Sequence, residues 1–446
     1  MDIVIAGAGA VGTHLAHMLS TQDHNIILMD SDENKIAAIE SQLDILTILG
    51  SCSSVEDLKL AKVNKADLYI AVTQTEEINL TSSIIAKKIG AKKTIARIDN
   101  NEYLQEETKK YWKSIGVDHM IYPERLAAEE VIASLKLTGT RQLHEFSGGK
   151  IVLYGIKLRE NAKILDYTLK DAISTFKMKD TRIVAINRNN NTIIPHGKNV
   201  FRNGDLIFVI TKPEGINETL ALCGKKRVDI KNIIIVGGSR IAKRTAMLLE
   251  KQYNVKLIER DRDKCEKLND VLEDTLVING DGTDLSLLKS EDIECTDAFV
   301  CLTGNSETNI LACLLAKKHN VKKSVAEVEH IDYIDLASNL GIGTLINKKL
   351  IAASYIYRHT MTSKVEQFKC LTASDAEVFE LIAQPNSKIT KKCIENLHLP
   401  KEANIGGIIR DDETIIPNGK DQIQAGDRVV VFTLPSAMRK IEKFFI

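Results

Sequence analysis

Three glycines near the start of the chain are spaced as in a loop that binds phosphate groups. They follow an apolar run at 3–6 and precede a helical pattern, which is the context that a dinucleotide-binding loop requires. In such a loop the first glycine allows a tight turn, the second lets the backbone approach a pyrophosphate, and the third lets the helix pack against the strand. The N-terminus of that helix offers N–H groups to the phosphate charge. The string is Gly7-Ala8-Gly9-Ala10-Val11-Gly12.

An acidic residue stands where this loop needs one. Asp30 ends the second apolar run, about 20 residues beyond the glycines, where a carboxylate can bind ribose hydroxyls. A carboxylate also repels a 2′-phosphate, so Asp30 favours NAD(H) over NADP(H). It does not separate NAD(H) from ATP or ADP, because all of them present a ribose diol. The alternative, a glycine-rich turn that binds nothing, does not account for the strand, the glycines and the acid together.

Further polar residues follow the later predicted strands. Because the carboxyl ends of parallel strands meet at one edge of a sheet, these side chains should line the same crevice. Arg97 fits a surface charge on an edge element equally well. The residues are Ser51, Cys52, Thr73, Gln74 and Arg97.

The chain contains an internal repeat. Residues 50–93 return as residues 280–323 without a gap, and residues 192–197 return as residues 414–419. One module is therefore used twice, because chance does not produce similarity at matched positions over such lengths. The second copy of the candidate site comprises Gly237, Gly238, Ser239, Arg240, Ile241, Glu259, Asp281 and Thr303.

The second loop departs from the glycine pattern. Ser239 and Ala242 replace the second and third glycines. Alanine is a known variant at the third position. Ser239, however, adds a side chain where the pyrophosphate should pass, although its hydroxyl could also donate to a phosphate. We therefore expect the second site to bind nucleotide several-fold more weakly than the first.

The hydrophobic pattern predicts an α/β fold. Continuous apolar runs at 3–6, 26–29, 45–49, 68–72, 94–98 and 119–122 indicate strands buried on both faces of a parallel sheet. Runs at 151–154, 182–186 and 206–210, separated by turn residues at 189–191 and 203–205, indicate a small α+β domain. A helix from Pro123 to Leu137 should join the two parts. Each module is thus predicted to be a Rossmann-like doubly wound sheet plus a small domain, with domains at 1–138, 139–225, 226–366 and 367–446.

Composition excludes several classes of protein. The chain has 446 residues, and 60 Lys and Arg residues balance 60 Asp and Glu residues, which argues against a general nucleic-acid binder. No run approaches the roughly 20 apolar residues of a membrane-spanning helix. The start lacks the pattern of a signal peptide, so we expect a cytoplasmic protein. The eight cysteines form no Cys-x-x-Cys pair, and we expect them to be reduced and mostly buried, with no metal site.

Residues for catalysis are not evident. A dehydrogenase needs a group placed for proton transfer over the nicotinamide. Lys150, Tyr154, Lys157 and His196 are available in the small domain, but no two have a recognisable catalytic spacing. The sequence also lacks a P-loop and a nucleophile elbow. We therefore predict a regulatory binding protein rather than an enzyme, and an NAD-dependent oxidoreductase is the alternative.

Over its whole length the chain resembles the TrkA-type peripheral subunits of Trk potassium-uptake systems. The similarity rests on the first glycine string and on the segments 95–98, 255–261, 280–283 and 314–318. In that family each module is an RCK unit, with a nucleotide-binding Rossmann half and a small C-terminal half. The resemblance implies a homo-oligomeric ring on the inner face of the membrane, bound to the potassium-translocating subunit. It further implies that nucleotide binding changes the shape of the ring and thereby gates transport.

The resemblance also implies site residues. The NAD-contacting positions of the family fall here on Gly7 to Val11, Asp30, Thr73, Gln74, Arg97 and Asp118. Ser51 and Cys52 depart from the Asp-Ala or Asp-Gly of many members, as Ser239 and Ala242 depart in the second loop. These departures leave open whether NAD(H), ATP or ADP is the activating nucleotide.

Overall fold

The computed structural model describes residues 1–20, 24–361, 365–371, 374 and 376–446. The first sheet has six strands, all parallel, in the order β3-β2-β1-β4-β5-β6. This is the order of a dinucleotide-binding Rossmann sheet, in which the strand order reverses between β1 and β4. The strands are β1 (Asp2–Ala6), β2 (Asn25–Asp30), β3 (Leu46–Leu49), β4 (Leu68–Ala71), β5 (Lys93–Arg97) and β6 (His119–Ile121).

Helices connect the strands of the first sheet, as parallel pairing requires. Asp32 and Ser54 cap the helices that follow them, since each side chain accepts hydrogen bonds from backbone N–H groups of the first turn. The helices are α1 (Ala10–Ser20), α2 (Glu33–Glu40), α3 (Val55–Leu60), α4 (Glu76–Ile89), α5 (Glu106–Ile115) and α6 (Pro123–Lys136). The last of these confirms the helix predicted from Pro123, which ends one residue earlier than expected.

The second sheet is antiparallel and has five strands in the order β10-β9-β11-β8-β7. Its strands are β7 (Gln142–Phe146), β8 (Ile151–Lys157), β9 (Thr181–Arg188), β10 (Asn191–Ile193) and β11 (Leu206–Thr211), with helices α7 (Leu169–Thr175) and α8 (Ile216–Leu222). The three predicted strands are confirmed. The sequence patterns do not predict β7 and β10, and β10 begins at Asn191, which the pattern predicts to be a turn residue.

The third sheet repeats the first, with strand order β14-β13-β12-β15-β16-β17. Its strands are β12 (Asn232–Val236), β13 (Asn254–Glu259), β14 (Leu276–Asn279), β15 (Ala298–Cys301), β16 (Lys323–Glu327) and β17 (Thr344–Ile346). Its helices are α9 (Arg240–Leu249), α10 (Arg262–Asn269), α11 (Leu285–Ser290), α12 (Ser306–Lys318), α13 (Asp332–Asn339) and α14 (Lys348–Tyr357).

The fourth sheet repeats the second, with strand order β18-β19-β22-β20-β21. Both small domains keep the same ion pair between a half-buried arginine and a buried aspartate. Arg188 donates to both oxygens of Asp205, and Arg410 donates to both oxygens of Asp427. Its elements are β18 (Val365–Cys370), β19 (Glu377–Ile382), β20 (Ala403–Arg410), β21 (Glu413–Ile415), β22 (Arg428–Thr433) and α15 (Met438–Phe445). The predicted fold class, two tandem Rossmann-like modules with small α+β halves, is confirmed.

The chain divides into two compact units. One unit comprises Met1–Leu126 and Lys348–Met361, and the other comprises 127–347 and 362–446. Within the first unit, α14 packs against α1. Within the second unit, the two small sheets share a core in which the rings of Phe208 and Phe432 lie 6.1 Å apart. No described helix is long and apolar enough to span a membrane. All eight cysteines are free thiols, and five of them are buried.

Candidate functional site

The first cleft lies at the carboxyl ends of β1, β2, β4 and β5, where the strand order of the first sheet reverses. It has a volume of about 310 Å³. Open α/β sheets bind their ligands at this position, outside the carboxyl ends of the strands. Of the predicted residues, the cleft is lined by Gly7, Gly9, Ala10, Val11, Asp30, Ser51, Cys52, Thr73, Gln74 and Arg97.

The three loop glycines meet different surroundings. Gly7 has a φ of +110°, which L side chains rarely adopt, and its amide donates to the carbonyl of Met29. A Cβ on Gly12 would lie 1.9 Å from the Gly7 carbonyl oxygen, so only glycine lets α1 start this close to the loop. A Cβ on Gly9 would have no atom within 4 Å. The side of the loop at Gly9 is therefore open toward the cleft, as a bound pyrophosphate requires.

Asp30 organises the loop as well as lining the cleft. One carboxylate oxygen accepts the Ala8 amide at 2.6 Å, and the other accepts the Asp32 amide at 3.0 Å. Lys35, which also lines the cleft, has its Nζ 3.7 Å from Asp30. Each oxygen keeps a second lone pair, so the carboxylate can still accept hydroxyl hydrogen bonds.

A buried asparagine holds the adjacent part of the site. The Asn79 side chain accepts the Thr73 amide and hydroxyl, and its amide nitrogen donates to the carbonyls of Thr73 and Arg97. It therefore ties the end of β4 to the end of β5. Asn309 makes the same four bonds to Thr303 and Glu327 in the second module. The repeat of this asparagine was visible in the sequence, but its role was not, because nothing in the pattern shows which backbone groups it reaches.

Arg97 lines the cleft and also pairs with a carboxylate. Its Nη2 lies 3.0 Å from Glu124, near the start of α6. A fixed guanidinium beside a cleft can donate its remaining N–H groups to a ligand. On the opposite side of the cleft, Cys52 is nearly buried, and burial raises the pKa of its thiol. Cys52 therefore contributes packing rather than a reactive thiolate.

Asp118 does not belong to the first cleft, and its assignment is corrected. It precedes β6 and accepts hydrogen bonds from the Thr94 amide and the Lys87 ammonium. Thr94 lies in the first half of β5, so Asp118 stands at the amino-terminal edge of the sheet, opposite the cleft. The resemblance placed an acid near β6 but did not fix the edge of the sheet on which it lies.

The second cleft occupies the equivalent position in the third sheet and is larger, at about 560 Å³. Of the predicted residues, it is lined by Gly237, Gly238, Ser239, Glu259, Asp281 and Thr303. Arg240 and Ile241 do not line it, so their place in the site stays a prediction. Ile241 is buried in α9 and Arg240 is exposed.

The second loop has a glycine beside Glu259, which is one methylene longer than Asp30 of the first loop. Glu259 accepts the amides of Gly238 and Asp261, as Asp30 accepts those of Ala8 and Asp32. A Cβ on Gly238 would lie 2.8 Å from the Glu259 carboxylate. The additional methylene of glutamate thus leaves little room for a side chain at a position where the first module has alanine.

Ser239 takes the position of Gly9 and acts as a helix cap. Its Oγ accepts the Ala242 amide at 3.2 Å, at the first turn of α9. The cap directs the hydroxyl toward the first turn of the helix, and Ser239 adds a side chain at the position that Gly9 leaves open. The hydroxyl hydrogen can still be donated to an anion.

The sequence patterns did not indicate two cations of the second cleft. Arg260 follows the acid directly, and Lys264 lies on α10, whereas the first cleft has Ser31 and Lys35 in these positions. A basic residue immediately after the acid was the available signal. Asp281 accepts the Thr283 amide and hydroxyl, which lower its pKa. Among the residues that the structure describes, no cluster of side chains is suited to a metal ion.

The arrangement defines a protein of two tandem modules, each a Rossmann-like sheet with a ligand-sized cleft followed by a small antiparallel sheet. The TrkA-N domain family matches residues 3–123 and 233–348. The TrkA-C domain family matches residues 153–224 and 378–446. The chain therefore belongs to the TrkA family.

Relatives match over the full length of the chain. "Trk system potassium uptake protein TrkA homolog 1" of Methanosarcina mazei is 33% identical, with 100% of both chains covered. The TrkA protein of Haemophilus influenzae is 33% identical, with 100% of this chain and 98% of the relative covered. The solved GsuK RCK domain has a TM-score of 0.61 at 16% identity and covers 100% of this chain and 94% of its own. A GsuK channel solved with NAD bound gives the same score and identity and covers 100% of this chain and 78% of its own.

Proposed function

We propose that this chain is the nucleotide-sensing regulatory subunit of a membrane potassium-uptake system. It binds NAD(H), or alternatively ATP or ADP, in the first cleft and acts on a membrane-embedded potassium-translocating partner. The observation that carries the proposal is the first loop. There, the open side at Gly9 and the Asp30 carboxylate stand where a pyrophosphate and a ribose diol need them. Membership of the TrkA family supplies the transport context.

The second cleft is proposed as a weaker nucleotide site. The Ser239 side chain narrows the approach to the phosphate position, and its hydroxyl is already used as a cap. Glu259 keeps an acceptor for ribose hydroxyls, and Arg260 and Lys264 offer positive charge to a phosphate. We expect binding several-fold weaker than at the first cleft, with a different nucleotide preference.

Regulation follows from binding rather than from turnover. The subunit forms a homo-oligomeric ring on the inner face of the membrane, and nucleotide shifts the population of ring shapes. A ligand shifts such an equilibrium only when it binds the two shapes with unequal affinity. The chain thus works as a sensor that returns its ligand unchanged.

The test is calorimetric titration of the full chain with NADH, NAD, ATP and ADP. Asp30→Ala should weaken binding at the first cleft by about 1.5–3 kcal/mol, roughly ten- to a hundredfold, because a charge-assisted hydrogen bond to ribose is lost. Asp30→Asn keeps one acceptor oxygen and should lose less. Asp67→Ala, at the amino-terminal edge of the same sheet, is the matched control. Unchanged affinity in Asp30→Ala would show that the nucleotide binds elsewhere, and consumption of NADH with a cellular metabolite would show an oxidoreductase.

A further inference from the structure

Positive side chains gather where the second sheet meets the third sheet, within the second compact unit. Arg141 precedes β7, Lys157 ends β8 and Lys225 follows α8. Lys323 begins β16, which places this region at the amino-terminal edge of the third sheet, opposite the second cleft. We call the group the basic joint; it consists of Arg141, Lys157, Arg159, Lys225, Lys317 and Lys323.

Two cations of the basic joint are fixed by hydrogen bonds between the domains. The Lys323 side chain is 2% exposed, and its ammonium donates to the Thr140 carbonyl and the Thr344 hydroxyl, both at 2.9 Å. Arg141 donates through Nη1 to the Ser338 carbonyl at 2.8 Å. Nη1 also donates to the Ser338 hydroxyl, so the guanidinium is anchored at the last turn of α13.

The outer cations converge on a glycine. Gly341 has a φ of +85°, and a Cβ placed on it would lie 2.3 Å from Lys317 Nζ and 3.7 Å from Arg159 Nη2. These two cationic groups therefore approach the same point. At Gly139, a Cβ would lie 3.3 Å from the Lys225 Cβ, so Lys225 packs beside the start of the small domain.

No carboxylate neutralises this group. Within the parts of the chain that the structure describes, no acidic side chain lies within ion-pair distance of Arg141, Lys157, Arg159 or Lys225. Asp205 attracts Lys157, but both of its oxygens bind Arg188 at 2.8 Å. In a chain with equal numbers of acidic and basic residues, these four cations thus lack a carboxylate partner, and Lys317 donates to the Leu340 carbonyl instead.

Burial and mutual repulsion lower the pKa values of several members of the basic joint. Burial, followed by repulsion from Arg141, lowers the pKa of Lys323 to about 7. Burial and the charges of Arg141 and Arg159 lower the pKa values of Lys157 and Lys225. An anion at the joint would relieve the repulsion that all of these groups experience.

We propose that the basic joint is an anion-binding site for a phosphate group, either free or carried by a small phosphorylated metabolite. Arg141 and Arg159 supply planar N–H donors, and Lys157, Lys225 and Lys317 supply compact charges, which is the combination that phosphate selects. The ligand contacts both the first small domain and the third sheet. Its binding therefore stabilises the joint between them, independently of the nucleotide clefts.

The test is a calorimetric titration of the full chain with inorganic phosphate at constant ionic strength, with chloride as the compensating anion. We expect saturable binding whose affinity falls tenfold or more in Arg159→Gln and in Lys157→Gln. The matched controls are Arg202→Gln and Lys179→Gln, which remove exposed cations of the same small domain outside the joint. They should keep the affinity of the parent protein within twofold.

Three results would overturn the proposal. The first is the absence of saturable binding, and the second is an equal loss in the joint variants and the controls, which would indicate a general charge effect. The third is phosphate binding that survives Arg159→Gln and Lys157→Gln but is lost in Gly9→Val, which would place the anion in the first cleft. A parallel titration with glycerol 3-phosphate distinguishes the sources, because tighter binding of the ester identifies a metabolite site and tighter binding of inorganic phosphate identifies a free-anion site.

Discussion

At the scale of single residues, Gly9 and Gly12 serve different purposes that substitution can separate. Gly9→Val should abolish nucleotide binding at the first cleft, because its side chain fills the open side of the loop, while the free energy of unfolding changes by less than about 0.5 kcal/mol. Gly12→Ala should instead destabilise the fold, since its Cβ meets the Gly7 carbonyl. Chemical unfolding and NADH titration of both variants check this. Equal stability losses in the two variants would contradict the assignment.

The coupling of Gly238 to Glu259 gives a second residue-scale prediction. Gly238→Ala should displace the Glu259 carboxylate and weaken binding at the second cleft, because the new methyl group takes its place. Adding Glu259→Asp shortens the acid and reproduces the pair that the first module has in Ala8 and Asp30.

The double variant should therefore recover binding, with a coupling energy of about 0.5–3 kcal/mol in the mutant cycle. Nucleotide titration of the parent, both single variants and the double variant measures it. Additive losses would mean that the two positions do not compensate each other.

At the scale of elements, the contact between β6 and the turn 358–360, which follows α14, should depend on pH. The rings of His119 and His359 lie 4.1 Å apart, and burial lowers their pKa values to about 4 and about 3. Because the folded pKa values lie below the unfolded value of about 6.5, the unfolded state takes up protons first. The contribution to stability is complete above about pH 6.5 and is lost as the pH falls toward the folded values.

Hydrogen exchange of α14 at pH 7.5 and pH 5.0 measures this dependence. We expect faster exchange at the lower pH, after correction for the intrinsic rate, and a smaller difference in the double variant His119→Gln, His359→Gln. His196→Gln, which removes an exposed histidine, is the control. If the double variant and the His196→Gln control showed the same pH dependence, the histidine pair would not be its cause.

The elements also show which parts of the fold could be predicted from the sequence. The parallel strands were predictable because burial on both faces makes them continuous apolar runs. Strand β7 was not, since Gln142, His144 and Glu145 break any apolar pattern and find their environment only in the folded chain. Strand β10 has three residues, too few to establish a period.

In the candidate site, too, local features could be predicted from the sequence and contacts between distant residues could not. The glycine loop and Asp30 were predictable because their function depends on local geometry and on a known spacing. The correction at Asp118 concerns which edge of a sheet a residue occupies, which depends on strand register. The contacts of Asn79, and the fit of Gly238 to Glu259, depend on distances between atoms that no sequence pattern encodes.

At the scale of the whole molecule, the duplication produces a pairing that neither copy shows alone. The two small sheets share one core, and the side chain of Arg182 bonds the Asn404 amide oxygen through Nε and Nη2. A Cβ on Gly406 would lie 2.1 Å from Ile210, so glycine allows the sheets to approach closely. The two copies have thus diverged where they meet each other, as they have in their loops.

The decisive measurement is potassium uptake by membrane vesicles that contain the potassium-translocating partner. The vesicles are titrated with NADH in the presence of the parent protein or of Gly9→Val. We expect uptake with the parent protein to respond to NADH, and we expect Gly9→Val to remain bound to the membrane partner but no longer to respond. A Gly9→Val subunit that binds its partner and responds to NADH as the parent does would contradict the claim that the first cleft is the regulatory nucleotide site.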